Sequence, residues 1–250
     1  MIKLLRNIRQ RMIKENKISK YLLYAMGEIV LVVIGILIAL QINNWNDELK
    51  QRNLEIKILK EISGNLKLDL VEIRQDISIM DSVNLAGHDI LQFMKKEAIP
   101  SELFYYDVSK LRVNPHFDPN KSGYSLLVSK GVEIIENDSL RGAISVLYES
   151  AYPYYYRYEE ERTQFKVHQI NPVLLAYFNW LPSTNRFFPG LYEISISEYI
   201  NIKNDQTFIR IVNAVVHENA LVQNRAQRIE SSIVKVMGQL QNELRLKKSR

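Results

Sequence analysis

The stretch Tyr21–Trp45, YLLYAMGEIVLVVIGILIALQINNW, constrains this chain more than any other. No charge occurs between Glu28 and Gln41, and Leu, Ile and Val dominate. Tyr24 and Trp45 lie 21 residues apart. At about 1.5 Å per residue, a helix over that distance is about 30 Å long, the hydrocarbon thickness of a bilayer. Tyr21 and Tyr24 mark one edge and Trp45 the other, as amphipathic rings do at headgroups. The sequence therefore predicts one transmembrane helix. A buried helix of a soluble protein is the competing reading, and these flanks argue against it.

Charge is distributed around this stretch unevenly. Residues 1–20 carry seven basic side chains (Lys3, Arg6, Arg9, Arg11, Lys14, Lys17 and Lys20) against Glu15, a net of +6. The whole chain carries +5, so everything after residue 20 sums to −1. A nucleic-acid binder would carry its basic patch on the folded domain, so no nucleic-acid partner is expected. The expected partner of the tail is anionic lipid. Leu5, Ile8, Met12 and Ile13 recur at helical spacing between the basic residues. The tail thus reads as an amphipathic helix in the headgroup plane, or as a basic flank that sets orientation. The run Leu40-Gln41-Ile42-Asn43-Asn44-Trp45 after Ala39 offers no small-x-small cleavage site, which argues for an uncleaved anchor. The positive-inside rule then places the tail in the cytoplasm and residues 46–250 on the opposite side.

The run from Tyr24 to Asn46, YAMGEIVLVVIGILIALQINNWN, resembles the N-terminal hallmark of a family of single-pass membrane proteins of Gram-negative bacteria whose domain has unknown function. Leu5-Arg6-Asn7-Ile8-Arg9 fits the pattern that precedes it, and a second similarity runs from Leu127-Val128-Ser129-Lys130-Gly131 into Ile134-Ile135-Glu136-Asn137. The resemblance implies an inner-membrane address with the domain in the periplasm. It implies no catalytic residues.

The expected fold is all-α: one N-terminal transmembrane helix followed by an elongated antiparallel helical bundle. The expected divisions are a basic segment 1–20, a membrane helix 21–45 and a bundle domain 46–250. Residues 46–97 read as one long helix, since Leu59, Ile62, Leu66, Leu70, Ile73, Ile77 and Met80 step by three or four. Apolar residues off that seam, such as Ile58 and Leu68, favour a bundle face over a bare two-stranded zipper. Pro100, Pro115 and Pro119 mark 98–121 as a loop. Shorter helices are expected over 124–130, from 139 with a kink or restart at Pro153, and over 173–181. Residues 183–204 read as irregular, with either a short strand or a helix start around Ile194–Glu198. A final helix runs from Gln206 to about Leu246, capped by Asp205. The two long helices are expected to pack antiparallel, with Ile62, Leu66, Ile73 and Ile77 facing Val215, Leu221, Ile229 and Ile233.

Candidate sites are few. Within the span, Gly27, Glu28, Gly35 and Ala39 form a candidate helix contact. Small residues let backbones approach and suggest a homo-oligomer or a membrane partner. Glu28 is either a polar contact to such a partner or a carboxylate snorkelling to the headgroups. Tyr152, Tyr154, Tyr155, Tyr156, Arg157 and Tyr158 form the most unusual patch. It suits a pocket for a small ligand or partner, or structural packing in which Tyr152, Tyr155 and Tyr156 face inward while Tyr154 and Tyr158 face solvent. Glu159-Glu160-Glu161 reads as a solvated helix face. The chain has no Cys, hence no disulfide and no thiol nucleophile. His88, His116, His168 and His217 lack metal-binding spacing, and neither GxSxG nor a phosphate-binding Gly loop occurs. No catalytic residue, cofactor or metal is expected. The expected role is a non-enzymatic scaffold or sensor-like interaction module, the alternative being a ligand-binding or enzymatic domain built around the tyrosines.

Overall fold

The computed structural model describes residues 18–96, 98–182 and 190–248. The basic tail and the Pro189 turn thus lie outside the described residues, apart from its last three positions. The chain divides into two compact units, one up to Glu55 and one from Ile56 onward.

Helix α1, Ile18–Met94, supplies the first unit and the opening of the second. From Leu22 to Trp45 its large apolar side chains are strongly exposed, from Val33 at 47% to Leu31 at 74%. The most apolar window has mean hydropathy 2.5 and no buried residue, and the helix is long and apolar enough to cross a membrane. A core helix of a soluble protein would bury this surface. A side chain added at Gly27 or Gly35 would meet nothing within 4 Å, and Ala39 is exposed.

Among its described residues the second unit is mostly helical, with one small hairpin. After α1 come α2 (Glu102–Lys110), α3 (Ser122–Lys130) and α4 (Asp138–Val146). They are followed by α5 (Tyr152–Phe165), α6 (Asn171–Tyr177), α7 (Ile196–Ile202) and α8 (Gln206–Lys248). Strands β1 (Asn179–Pro182) and β2 (Gly190–Glu193) pair antiparallel, Asn179 opposite Glu193 and Trp180 opposite Tyr192. Capping explains most boundaries. Asn137 accepts from the Leu140 N–H, Asp205 accepts from the Thr207 N–H, and Ser195 with Glu198 forms a capping box. At Gly131 the backbone leaves α3 with φ +93°, a conformation that favours glycine.

Several expectations need correction. The 98–121 loop contains α2, started by Ser101, whose side chain accepts from the Phe104 N–H. Phe104, Val108 and Leu111, at helical spacing, are all buried. The helix expected over 173–181 stops at Tyr177, where Phe178 turns extended and the chain enters β1. At Pro153 the restart occurs as expected, with the proline in the first turn of α5. The wide π-turn Leu147–Ala151 opens the spiral just before it, so the ring and the missing N–H cause no conflict. A second π-turn, Lys166–Ile170, does the same before Pro172.

Helices α1 and α8 pack antiparallel. Arg74 Nε donates to Glu230 Oε1 at 2.6 Å, Asn84 Nδ2 to Gln223 Oε1 at 2.9 Å, and Asn219 Nδ2 to the Met80 carbonyl at 2.8 Å. The numbers rise along one helix as they fall along the other. The buried seam of α1 runs Ile62, Leu66, Asp69, Ile73, Asp76, Met80, Val83, Gly87, Ile90, Met94. That of α8 runs Phe208, Val212, Val215, Asn219, Val222, Ala226, Ile229, Ile233, Val236, Leu240. Both alternate steps of four and three, the spacing of helices in knobs-into-holes contact. Two members of the expected faces are off these seams: Ile77 is half-buried and Leu221 is 38% exposed. Gly123 matters for packing. A Cβ there would stand 2.7 Å from the Ile62 backbone N, so only glycine lets α3 approach α1 this closely.

Candidate functional site

Residues 113–121 cross between α1 and α5 without regular structure. Pro115 and Pro119 remove two N–H donors and hold their neighbours extended. A segment running between two helices still has to satisfy its remaining backbone groups, and among the described residues it pairs with no strand. Side chains from both helices do this. Asn65, Asp69, Glu72 and Asp76 recur on α1 at steps of four, three and four, and Tyr155, Glu159, Arg162 and Lys166 repeat the same steps from α5 onward.

Each contact matches donor to acceptor. Asn65 Oδ1 accepts from the Gly123 N–H (2.8 Å), Asp69 Oδ1 from the Asn120 N–H (2.9 Å) and Glu72 Oε1 from the Asp118 N–H (3.1 Å). Glu159 Oε1 accepts from the Phe117 N–H (3.2 Å). Arg162 Nη2 donates to the Pro115 carbonyl (2.6 Å), and Lys166 Nζ donates to that of Val113. Tyr148 donates to the Asn120 carbonyl (3.3 Å), and Tyr152 to Asp69 Oδ2 (2.8 Å). Glu159 and Arg162 are each 1% exposed, so Glu159 is not on a solvated face as expected; Glu161 is exposed. The cluster continues into the helix pair. Arg162 Nη1 lies 3.4 Å from Asn219 Oδ1 and 3.0 Å from Met80 Sδ, and its Nη2 is 3.9 Å from Glu159 Oε1.

Burial governs the protonation of this cluster. It pushes Glu159 up to about 7 against the pull of the Phe117 N–H and Arg162. It also pushes Asp76 up to about 6, helped by Glu72, and brings Lys166 down to about 7, helped by Arg162. A carboxyl raised in the folded state stabilises the fold fully below its unfolded pKa and loses that contribution as pH rises through its folded one. Lysine lowered in the folded state contributes fully above its unfolded value of 10.5 and loses that as pH falls toward 7. The bundle is therefore expected to lose stability between pH 5 and 7. For Glu159, raised from 4.5 to about 7, the full effect is on the order of 3 kcal/mol. Urea unfolding at both pH values checks this: Glu159→Gln should remove most of the fall, and a wild-type protein more stable at pH 7 than at pH 5 contradicts it.

Beside this clasp of side chains from α1 and α5 on residues 113–121 lies a cleft of about 230 Å³ between 116–121 and α5, walled by Phe117, Tyr152, Tyr155, Tyr156, His116 and Glu159. Three of the candidate tyrosines therefore line one cavity. Tyr152 and Tyr155 are buried, but Tyr156, expected to pack inward, is 51% exposed and meets the His116 ring at 5.7 Å. The other candidates are elsewhere. The Tyr154 hydroxyl bonds to that of Tyr158 (3.1 Å), Arg225 stacks on Tyr158 at 3.6 Å, and Arg157 approaches both rings. The tyrosine run is thus split between two surfaces. Among the described residues no group of three or more His, Cys, Asp or Glu is placed to hold a metal ion.

A helical unit with a clasped extended segment, following an uncovered apolar helix, defines the class. The chain belongs to DUF6090, a family of unknown function that matches residues 28–220 and thus takes in most of the apolar stretch, the clasp and the cleft. No curated protein and no solved structure gives a significant match.

Proposed function

We propose that the protein is a single-pass inner-membrane protein of a Gram-negative bacterium whose helical bundle stands in the periplasm as a non-enzymatic scaffold or sensor-like interaction module. The observation that carries this reading is the uncovered surface from Leu22 to Trp45, the most apolar window of which has no buried residue. Lipid is the environment that such a surface fits. The +6 of residues 1–20 supports a cytoplasmic N-terminus next to anionic headgroups.

Because the chain has no Cys, single cysteines report topology cleanly. In spheroplasts, a membrane-impermeant thiol reagent should label Ser249→Cys and spare Ser19→Cys. The reverse pattern would refute the orientation. The open faces of Gly35 and Ala39 support self-association of the span. Leu at both positions should weaken dimerisation in a membrane two-hybrid assay, and a wild-type span with no signal above a monomeric control rules this contact out.

A further inference from the structure

The cleft beside the clasp contains a buried acceptor whose pairing is incomplete. Glu159 is 1% exposed, and only one of its oxygens is bonded: Oε1 takes the Phe117 N–H, while Oε2 is buried with no hydrogen-bond partner. The Tyr155 hydroxyl is also buried and interacts with the same carboxylate, favouring its ionised form, but the two meet at poorer geometry than an ordinary hydrogen bond. Leaving such atoms unmade costs about 1–3 kcal/mol each, more for a charged group. From the crossing segment the nearest group is the His116 imidazole, Nδ1 at 3.5 Å from Oε2, on a side chain 47% exposed. Exposed side chains exchange rotamers in nanoseconds or less, so this ring can turn aside.

The surroundings of these two atoms define the chemistry that fits them. Tyr156 and Phe117 line the cleft, and an aromatic ring carries negative π-density on its faces, which attracts cations. Asp118 and Lys121 at the cleft are both solvent-exposed and opposite in charge, so neither sets the sign inside. The volume of about 230 Å³ equals about eight waters at about 30 Å³ each. We propose that this cleft binds a small primary ammonium ion, whose N–H groups are shared by Glu159 Oε2 and the Tyr155 hydroxyl and whose apolar body lies on Tyr156 and Phe117.

Protonation supports the geometry. Arg162 and Tyr155 face Glu159 from its own helix, Asp76 from α1 and His116 from the crossing segment, and burial outweighs the groups that favour ionisation, pushing Glu159 up to about 7. A cation binds the ionised carboxylate, so affinity should rise between pH 6 and 8, before simple alkylamines lose their charge.

The test uses the full chain in detergent micelles and n-butylammonium as probe, followed by saturation-transfer NMR with empty micelles subtracted. Binding is expected at pH 7.5, with 1-butanol at least about tenfold weaker because it lacks the charge-assisted bond. Glu159→Gln keeps the acceptor for the Phe117 N–H and should weaken binding at least about tenfold. Tyr156→Ala, at an exposed position that cannot unfold the core, should weaken it about threefold, and His116→Ala should bind at least as tightly as wild type. If Glu159→Gln does not fold, Tyr156→Ala and the butanol comparison decide. Absence of butylammonium binding, equal binding of 1-butanol, or unchanged affinity in the folded Glu159→Gln or in Tyr156→Ala protein overturns the proposal.

Discussion

Arg162→Ala should lower the free energy of unfolding by about 3–5 kcal/mol, the cost of breaking a buried ion pair from one side. The guanidinium is 1% exposed, donates to the Pro115 carbonyl at 2.6 Å, and faces Glu159 and Asp76. Without it, the carbonyl has no donor, two buried carboxyls lose their cation, and a void opens against Met80 and Asn219. The carboxyls would respond by keeping their protons, which limits but does not cancel the loss. Glu159→Gln is the informative partner, since it removes a buried charge while keeping the acceptor for Phe117. In the double variant the two changes should cost clearly less than their sum, because the arginine then has less charge to offset. Urea unfolding of the full chain in micelles, followed by circular dichroism at pH 7, measures all three. A loss below about 1 kcal/mol for Arg162→Ala, the range of exposed pairs, would mean that the clasp is solvated and not structural.

Truncation along the antiparallel pair should separate seam from flank. Ile73 and Ile233 are fully buried, and alanine at either should cost about 2–5 kcal/mol through lost transfer energy and residual cavity. Leu221 is 38% exposed, and alanine there should stay within about 0.5 kcal/mol, as at an ordinary surface position. The same unfolding assay checks this. If Leu221→Ala cost as much as Ile233→Ala, α8 would be rotated from the described seam.

That contrast also shows where periodicity misleads. Apolar spacing on α1 suggested Leu70 and Ile77, and on α8 Leu221. The structure passes its seam instead through Asp69, Asp76 and Asn219. Each apolar choice is a neighbour of a polar seam residue, one or two positions away. A reading that rewards apolar spacing steps around a buried Asp or Asn whenever a Leu or Ile stands beside it. The Tyr152–Tyr158 run was visible by composition, but its partition was not: Tyr155, Glu159, Arg162 and Lys166 share a stripe that the crossing segment and the α1–α8 pair bury. The regular recurrence of Tyr155, Glu159, Arg162 and Lys166 at steps of four, three and four, opposite a loop with two prolines, was the available signal.

The sequence by itself determined what depends on neighbours along the chain. The uncharged run to Trp45 makes a helix that water does not suit, and the long 3.6-residue periodicities make α1 and α8 helices. Asn137, Ser195, Asp205 and Gly131 set local ends because capping and positive φ involve residues only a few positions apart. Tertiary structure decided which carboxylates are buried. Glu159 and Glu161 look alike in the chain. One accepts the Phe117 N–H across 42 residues, while the other remains in water. The energy of a charge depends on what surrounds it in space, and the crossing segment that surrounds Glu159 is placed by contacts spanning α1, α5 and α8.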